Sequence, residues 1–245
     1  MKKKTASPSI SVVIPALNEE KYLPKTMESI DNQTLDKSLW EVIVVDNGST
    51  DNTSTIAKKN NARVVKEAKK GITFARDRGL REARGEILAS TDADTVLPAD
   101  WLERIWRHFQ EDEELVGVFG SYRLVRSDGK PYLPAGGYKI LDLLSAFHLQ
   151  FGKPLFLGYN YAVRREPFIA AGGYRAILGD IDDIPTGLLV KSLGKVIFDP
   201  FLINFPSARR FEKEGFFKSS LLALVDYPKT VWFKKPIFRK REEHR

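Results

Sequence analysis

The 245-residue chain contains no cysteine. That excludes disulfides, thiolate metal sites and cysteine nucleophiles, and it fits a reducing, cytoplasmic setting. No stretch reaches the roughly 18–20 consecutive apolar residues that a membrane span needs. The basic start, Met1-Lys2-Lys3-Lys4-Thr5, runs straight into a strand-like segment, without the apolar stretch and small-residue cleavage site of a signal peptide. No G-x-G-x-x-G or Walker loop follows the first strand, so neither a dinucleotide site nor an ATP P-loop is supported. An even spread of charge is missing too. The net charge is +7, yet residues 207–245 carry +6 of it and residues 1–206 only +1. A nucleic-acid enzyme spreads positive charge over its main face, so no nucleic-acid partner is expected. A basic tail reads instead as a partner or membrane-surface segment.

What is present is alternation. Residues 9–14 form a short apolar strand that Pro15 is expected to end, and 19–33 have helical spacing, with Leu23, Met27 and Ile30 on one stripe. Pro24 is compatible with that helix because it falls in the first turn. The β-branched run at 41–45 reads as a buried parallel strand. Further elements follow as a helix at 53–59, a strand at 62–66, a helix at 72–83, a strand at 86–91 and a helix at 98–110. This alternation predicts an α/β fold with a mostly parallel sheet and helices on both faces. Past Leu115 the pattern loosens. A strand is expected at 116–125, a chain break at Pro134-Ala135-Gly136-Gly137, and a helix at 140–151. A strand at 159–164, a helix at 185–193 and a strand at 195–198 complete the reading. The expected organisation is a basic extension (1–8), a nucleotide-binding half (9–115), an acceptor and catalytic half of the same domain (116–215), and an amphipathic basic tail (216–245).

In open parallel sheets, ligands bind beyond the carboxyl ends of the strands. The segments that follow these strands are Pro15-Ala16-Leu17-Asn18-Glu19, Asp46-Asn47-Gly48-Ser49 and Asp92-Ala93-Asp94. Two carboxylates one residue apart at a strand end can reach the same hard divalent cation, and Mg²⁺ or Mn²⁺ commonly sits on one or two carboxylates while bridging phosphate oxygens. Isolated, an Asp-x-Asp is more often a solvated turn, here with Asp94 or Thr95 capping the helix near Pro98. The other two loops at the same edge favour the metal reading.

Three segments resemble the family 2 glycosyltransferases in order and spacing: residues 13–20 (VIPALNEE), 44–51 (VVDNGSTD) and 91–94 (TDAD). Lys70-Gly71 followed by Ala75-Arg76-Asp77-Arg78-Gly79 is similar to the family's Lys-Gly…Ala-Arg-Asn-x-Gly element, with Asp77 in place of the usual Asn. Residues 160–165 and Gly172-Gly173-Tyr174 are similar to the segment before the family's catalytic base. The resemblance spans roughly residues 9–215. It implies a GT-A, Rossmann-like fold and a metal-dependent, inverting sugar transfer from a nucleoside-diphosphate sugar, with a UDP-sugar first and GDP-mannose second. The acceptor it implies is a growing glycan or a lipid-linked group. Carried onto this sequence, Pro15, Ala16, Asn18 and Glu19 line the nucleotide pocket. Asp46, with Asn47 beside it, binds the base. Gly71 and Arg76 lie near base or phosphates, Asp92 faces ribose or metal, and Asp94 binds Mn²⁺ or Mg²⁺.

The family's Glu-Asp pair, placed by its distance to Gly194, falls on Asp182-Asp183, with Asp replacing the usual Glu. Asp183 is the candidate base and Asp180 a competitor. A helix N-terminus near Pro185 is compatible with this, because it keeps a carboxylate ionised. Similar enzymes carry a Ser/Thr-x-Arg-Arg element, here Ser207-Ala208-Arg209-Arg210, in which one arginine is expected on the diphosphate or an anionic acceptor. His108 and His148 fall in helical segments and are expected to be structural. In the tail, 216–225 is apolar and 230–241 interleaves aromatics with cations, which suits peripheral contact with an anionic membrane. Two rivals differ in class. A sugar-1-phosphate nucleotidyltransferase would open with a Gly-rich loop after strand one, which Pro15-Ala16-Leu17-Asn18 does not offer. A non-catalytic sugar-nucleotide or membrane-surface module would not need Asp92, Asp94 and Asp183 together.

Overall fold

The computed structural model describes residues 8–177 and 183–214, with backbone alone for Asp183, Ile184 and Glu214. The candidates Asp180 and Asp182, and the tail 216–245, lie outside the described residues.

One eight-stranded sheet has the order β3-β2-β1-β4-β7-β6-β8-β5. Its strands are β1 (Ile10–Ala16), β2 (Trp40–Asp46), β3 (Arg63–Lys66), β4 (Ile87–Ser90), β5 (Thr95–Val96), β6 (Leu115–Tyr122), β7 (Tyr161–Arg164) and β8 (Lys195–Pro206). The pairs β1/β2, β1/β4, β2/β3 and β6/β8 are parallel, and β7 and β5 run antiparallel to their neighbours. The expected mostly parallel α/β sheet is what forms. The helices are α1 (Leu23–Asp31), α2 (Thr53–Lys59), α3 (Ile72–Glu82), α4 (Trp101–Glu111), α5 (Ala135–Gln150), α6 (Arg165–Ala170), α7 (Asp183–Leu193) and α8 (Arg209–Glu214). Strand alternation sends successive residues of β1 to opposite faces. Ile10, Val12 and Ile14 pack with residues of α1, α2 and α4, while Val13 packs with residues of α3, α6 and α7. Both faces are therefore covered, as a parallel sheet requires.

Three expectations about where elements begin and end are corrected. Pro15 does not end β1, which continues to Ala16. β4 pairs with β1 only as far as Val13, and alternation turns the Pro15 nitrogen to that vacated side, where no N–H is needed. Pro134-Ala135-Gly136-Gly137 does not break the chain, because α5 starts at Ala135. Pro134 takes the N-cap, and the two glycines sit in the first turn, where few hydrogen bonds depend on them. The last strand runs beyond Phe198 to Pro206, because its pairing with β6 jumps from Asp199 to Ile203 and the bulge takes up Pro200. Among the described residues, no helix is long and apolar enough to cross a membrane.

Candidate active site

The carboxyl ends of β1, β2 and β4 meet at one edge of the sheet, and side chains lace their loops together. Asn18 is left-handed, with φ 54°. Its N–H donates to Ser49 Oγ (3.0 Å), and its Oδ1 accepts the Thr50 N–H (2.8 Å). The Glu19 N–H donates to Thr53 Oγ1 at 2.7 Å. Pro15 and Ala16, the last residues of β1, lie beside Val45 and Asp46. Asn47 is buried and spends its side chain on the neighbouring loop. Its Nδ2 donates to the carbonyls of Glu67 (3.0 Å) and Lys69 (2.8 Å), and its Oδ1 accepts the Gly71 N–H (2.8 Å). Gly71 has φ 131°, a conformation that favours glycine, and it starts α3.

Asp46 Oδ1 accepts the Ser49 N–H at 2.8 Å, and Oδ2 accepts the Ser54 hydroxyl. Burial pushes this carboxyl up, but the hydrogen bonds from Ser54, Ser49 and Gly48 outweigh burial and hold it below the usual carboxylate range. Asp46 is thus an ionised acceptor with lone pairs to spare.

The loop after β4 has its backbone oxygens occupied. The carbonyl of Asp92 accepts Thr95 N–H (3.3 Å), that of Ala93 accepts Thr26 Oγ1 (2.9 Å) and that of Asp94 accepts Ser207 N–H (3.1 Å). The carboxylates are what this loop offers a ligand, and each is fixed by an arginine. Arg76, 2 % exposed, reaches Asp92 Oδ1 with Nη2 at 2.9 Å, and Asp92 itself is 28 % exposed. Arg209 grips Glu19 with two hydrogen bonds, Nη1 to Oε2 at 2.9 Å and Nη2 to Oε1 at 2.6 Å, while its Nε lies 3.0 Å from Asp94 Oδ2. The guanidinium also lies 4.4 Å from the centre of the Tyr22 ring. Burial works against the charge on Arg209, but Glu19 and Asp94 more than compensate and raise its pKa above the ordinary arginine value.

Two carboxylates of intermediate exposure, one residue apart, suit a cation that completes its shell with phosphate oxygens and water. Among the described residues, no three histidine or acidic side chains converge as an all-protein metal cage would need. The donor set thus fits Mn²⁺ or Mg²⁺ held partly by substrate.

Residues 11–172 match the model of the family described as glycosyl transferase family 2. The chain belongs to this family. Among its relatives, the glycosyltransferase GlyG of Streptococcus pneumoniae is 34 % identical over 216 residues, which is 84 % of this chain and 62 % of GlyG. Two solved structures share the fold. The mannosyltransferase PcManGT from Pyrobaculum calidifontis, in complex with GDP-Man and Mn²⁺, superposes with a TM-score of 0.65 at 26 % identity, covering 81 % of this chain and 56 % of that one. Glucosyl-3-phosphoglycerate synthase from Mycobacterium tuberculosis, in complex with UDP, gives a TM-score of 0.55 at 26 % identity over 82 % of this chain and 72 % of that one. The chain spans less than two thirds of the length of GlyG and of PcManGT.

In this family 2 chain the structure brings Ala16, Asn18, Asp46, Asn47, Gly71, Arg76, Asp92 and Asp94 to connected loops at one edge. It gives Glu19 a specific task, since its carboxylate is 2 % exposed and is spent on Arg209. Arg209 and Arg210 separate in role: Arg209 ties loops together, and Arg210 is exposed. Asp77, where a neutral amide is usual, is ion-paired with Arg81 (3.0 Å) and Arg175 (2.9 Å), which call for a carboxylate. The helix after the Asp-x-Asp loop has Asp100 at its N-cap, so neither Asp94 nor Thr95 caps it. His108 pairs with Asp199 at 2.9 Å, and His148 Nδ1 contacts the Leu144 carbonyl at 2.7 Å, as structural histidines would. Asp183 is the first residue of α7.

Sequence reasoning missed Gly158. A Cβ at this position would overlap the Arg76 guanidinium, so the backbone of residue 158 closes over the arginine that holds Asp92. Its signal was only a glycine between two apolar aromatic stretches, which does not identify a contact 82 residues away in sequence.

Proposed function

We propose that the chain transfers a sugar from a nucleoside-diphosphate sugar to an acceptor hydroxyl or phosphate with inversion at the anomeric carbon. The observation that carries the reading is the shared edge: an ionised, hydrogen-bonded Asp46 at one loop, and Asp92 and Asp94 each braced by an arginine at the next. Asp46 offers an acceptor for a base N–H. A Mn²⁺ or Mg²⁺ on Asp92 and Asp94, when bound, would supply positive charge beside a diphosphate leaving group. Arg76 and Arg209 keep the two carboxylates in place. The acceptor oxygen attacks the anomeric carbon, the bond from that carbon to the diphosphate oxygen breaks, and the acceptor proton passes to a carboxylate, for which Asp183 at the start of α7 is our assignment. UDP-sugars are the first donors to try, and GDP-mannose the second. A glycan or lipid-linked acceptor, met by a cytoplasmic enzyme, completes the reading.

The test is nucleotide release by the purified chain from UDP-, GDP- and dTDP-sugars, with Mn²⁺, with Mg²⁺ and with EDTA. One donor class is expected to be cleaved in the presence of metal. Full activity in EDTA would remove the metal from the scheme, and no release from any donor in the presence of acceptor extracts would remove the transfer.

A further inference from the structure

Helix α5 is amphipathic the wrong way round. Of its 16 residues only Tyr138 is buried, whereas the 11-residue α4 buries four. Two of its polar side chains, Tyr138 and Asp142, face the protein. Tyr138 Oη donates to the Leu124 carbonyl at 3.0 Å, and Asp142, one turn on, pairs with Arg123 at 2.8 Å and accepts the Ser121 hydroxyl. Large apolar side chains face away: Ile140, Leu143, Leu144 and Phe147, together with Phe151 just past the helix end, are 44–70 % exposed, while Leu149 packs against the core. Their spacing of three and four residues puts them on one stripe, and the rings of Phe147 and Phe151 pack 4.8 Å apart. Single exposed apolar residues are ordinary, but a continuous stripe marks a contact surface.

We propose that this stripe is a docking surface for an anionic lipid bilayer. Two observations choose that occupant, and shallow insertion into a lipid interface suits a single helix face. Between residues 131 and 157 the one acidic residue is Asp142, already bound to Arg123, and Lys139 and Lys153 lie near the two ends of the stripe. The described residues end beside this helix, where the Phe211 ring of α8 packs 5.7 Å from that of Tyr132, two residues before the α5 N-cap, and in the sequence the basic segment follows α8. An apolar stripe and a cationic segment in the same chain are the two kinds of signal that stable peripheral attachment needs. Because Arg123 follows the carboxyl end of β6, docking here would hold the acceptor side of the sheet edge against the bilayer. The inference does not rest on the transfer reading, and nucleotide release measured on the same preparations lets either fail alone.

The experiment is co-sedimentation of the full chain with vesicles of phosphatidylcholine and phosphatidylglycerol, mixed at about two to one so that the surface is anionic. The comparison is between the wild type, Leu143→Glu/Phe147→Glu, and a control, Phe201→Glu, which changes an aromatic residue 70 % exposed in the bulge of β8. We expect the wild type and the control to sediment and the double variant to lose at least about tenfold in bound fraction with unchanged thermal melting. Because the chain has no cysteine, Phe147→Cys can carry a single polarity-sensitive fluorophore, expected to shift to the blue when vesicles are added. Wild-type binding retained by the double variant, or no binding by the wild type, overturns the proposal. A fluorophore already blue-shifted without vesicles and unchanged by them would show the stripe covered by the chain itself. A wild-type dimer that the double variant converts to monomer in light scattering would show a second copy on the stripe. Either result also overturns the proposal.

Discussion

Between β1 and β4 each loop is tied to another by side chains: Asn18 to Thr50, Glu19 to Thr53, Asn47 to Lys69 and Gly71, and Arg76 to Asp92. Between β6 and β7 the longest helix of the described residues touches the sheet through few of its side chains and turns four large apolar ones outward, with Phe151 just past its end. In the proposed reading the first region holds a small, charged ligand, which needs donors and acceptors fixed before it arrives. The second, in the proposed docking, meets a large surface, for which area matters more than the placement of single atoms. A fold can therefore divide its work across one sheet, with polar preorganisation on one side and an adaptable face on the other.

The sharpest way to break this division is at the Asp-x-Asp loop. Asp94→Asn is expected to abolish transfer and weaken nucleotide binding in Mn²⁺, a loss of several kcal/mol of transition-state stabilisation, roughly the contribution of a Lewis acid. Vesicle binding should stay intact. Isothermal titration with nucleotide and a transfer assay read the two effects, and unchanged turnover would detach the metal from the chemistry.

Asp183→Asn should reduce turnover by about 10²-fold with donor affinity nearly unchanged, the signature of a proton acceptor rather than a binding group. Steady-state kinetics beside equilibrium donor binding separate the two. A fully active variant would move the base to another carboxylate of the same segment.

A smaller effect is expected where the two regions touch. Gly158→Ala would drive a methyl into the Arg76 guanidinium, and overpacking of this kind costs about 1–3 kcal/mol. Calorimetry should show a lower melting temperature, and donor affinity should fall because Asp92 loses its brace. A variant with wild-type stability and affinity would mean that residue 158 and Arg76 are independent.

The smallest effect concerns protons. Asp46 is held below the usual carboxylate range, so its ionised form, and the stability that form contributes, persists at neutral pH and is lost as pH falls through its folded-state pKa. Ser54→Ala removes the strongest of the hydrogen bonds that hold it down. Nucleotide affinity in the variant should therefore begin to fall at a higher pH than in the wild type, read by binding titrations across the acid limb. Identical pH profiles would show that Ser54 does not tune the carboxylate.

The donor region was legible because its signals are local. Alternating apolar runs give β1, β2 and β4, and the residues after each run give the site. Where the sequence misled, distant parts of the chain decided. Pro15 is tolerated because β4 stops early and Pro200 because β6 accepts a bulge, whereas Gly136-Gly137 is settled locally, by a helix that begins on glycines that Pro134 precedes. The same is true of site residues. The resemblance that puts Glu19 in the nucleotide pocket does not reveal its pairing with Arg209, and no periodicity connects Gly158 with Arg76. The exposed face of α5 was hidden for another reason: an apolar helix is ordinarily read as core, and only the inward placement of Tyr138 and Asp142 shows which side is out.

The clamp of Arg209 on Glu19 joins residues 190 positions apart. Chains emerge from synthesis N-terminus first, so the strands and loops of the sheet edge can assemble long before the arginine that steadies Glu19 and Asp94 exists. Closing so large a loop is slow, although the entropy it costs grows only with the logarithm of loop length. A nascent chain would therefore carry two loose acidic anchors until α8 docks, and synthesis through Arg209, rather than formation of the core, would set the moment at which Glu19 and Asp94 are fixed.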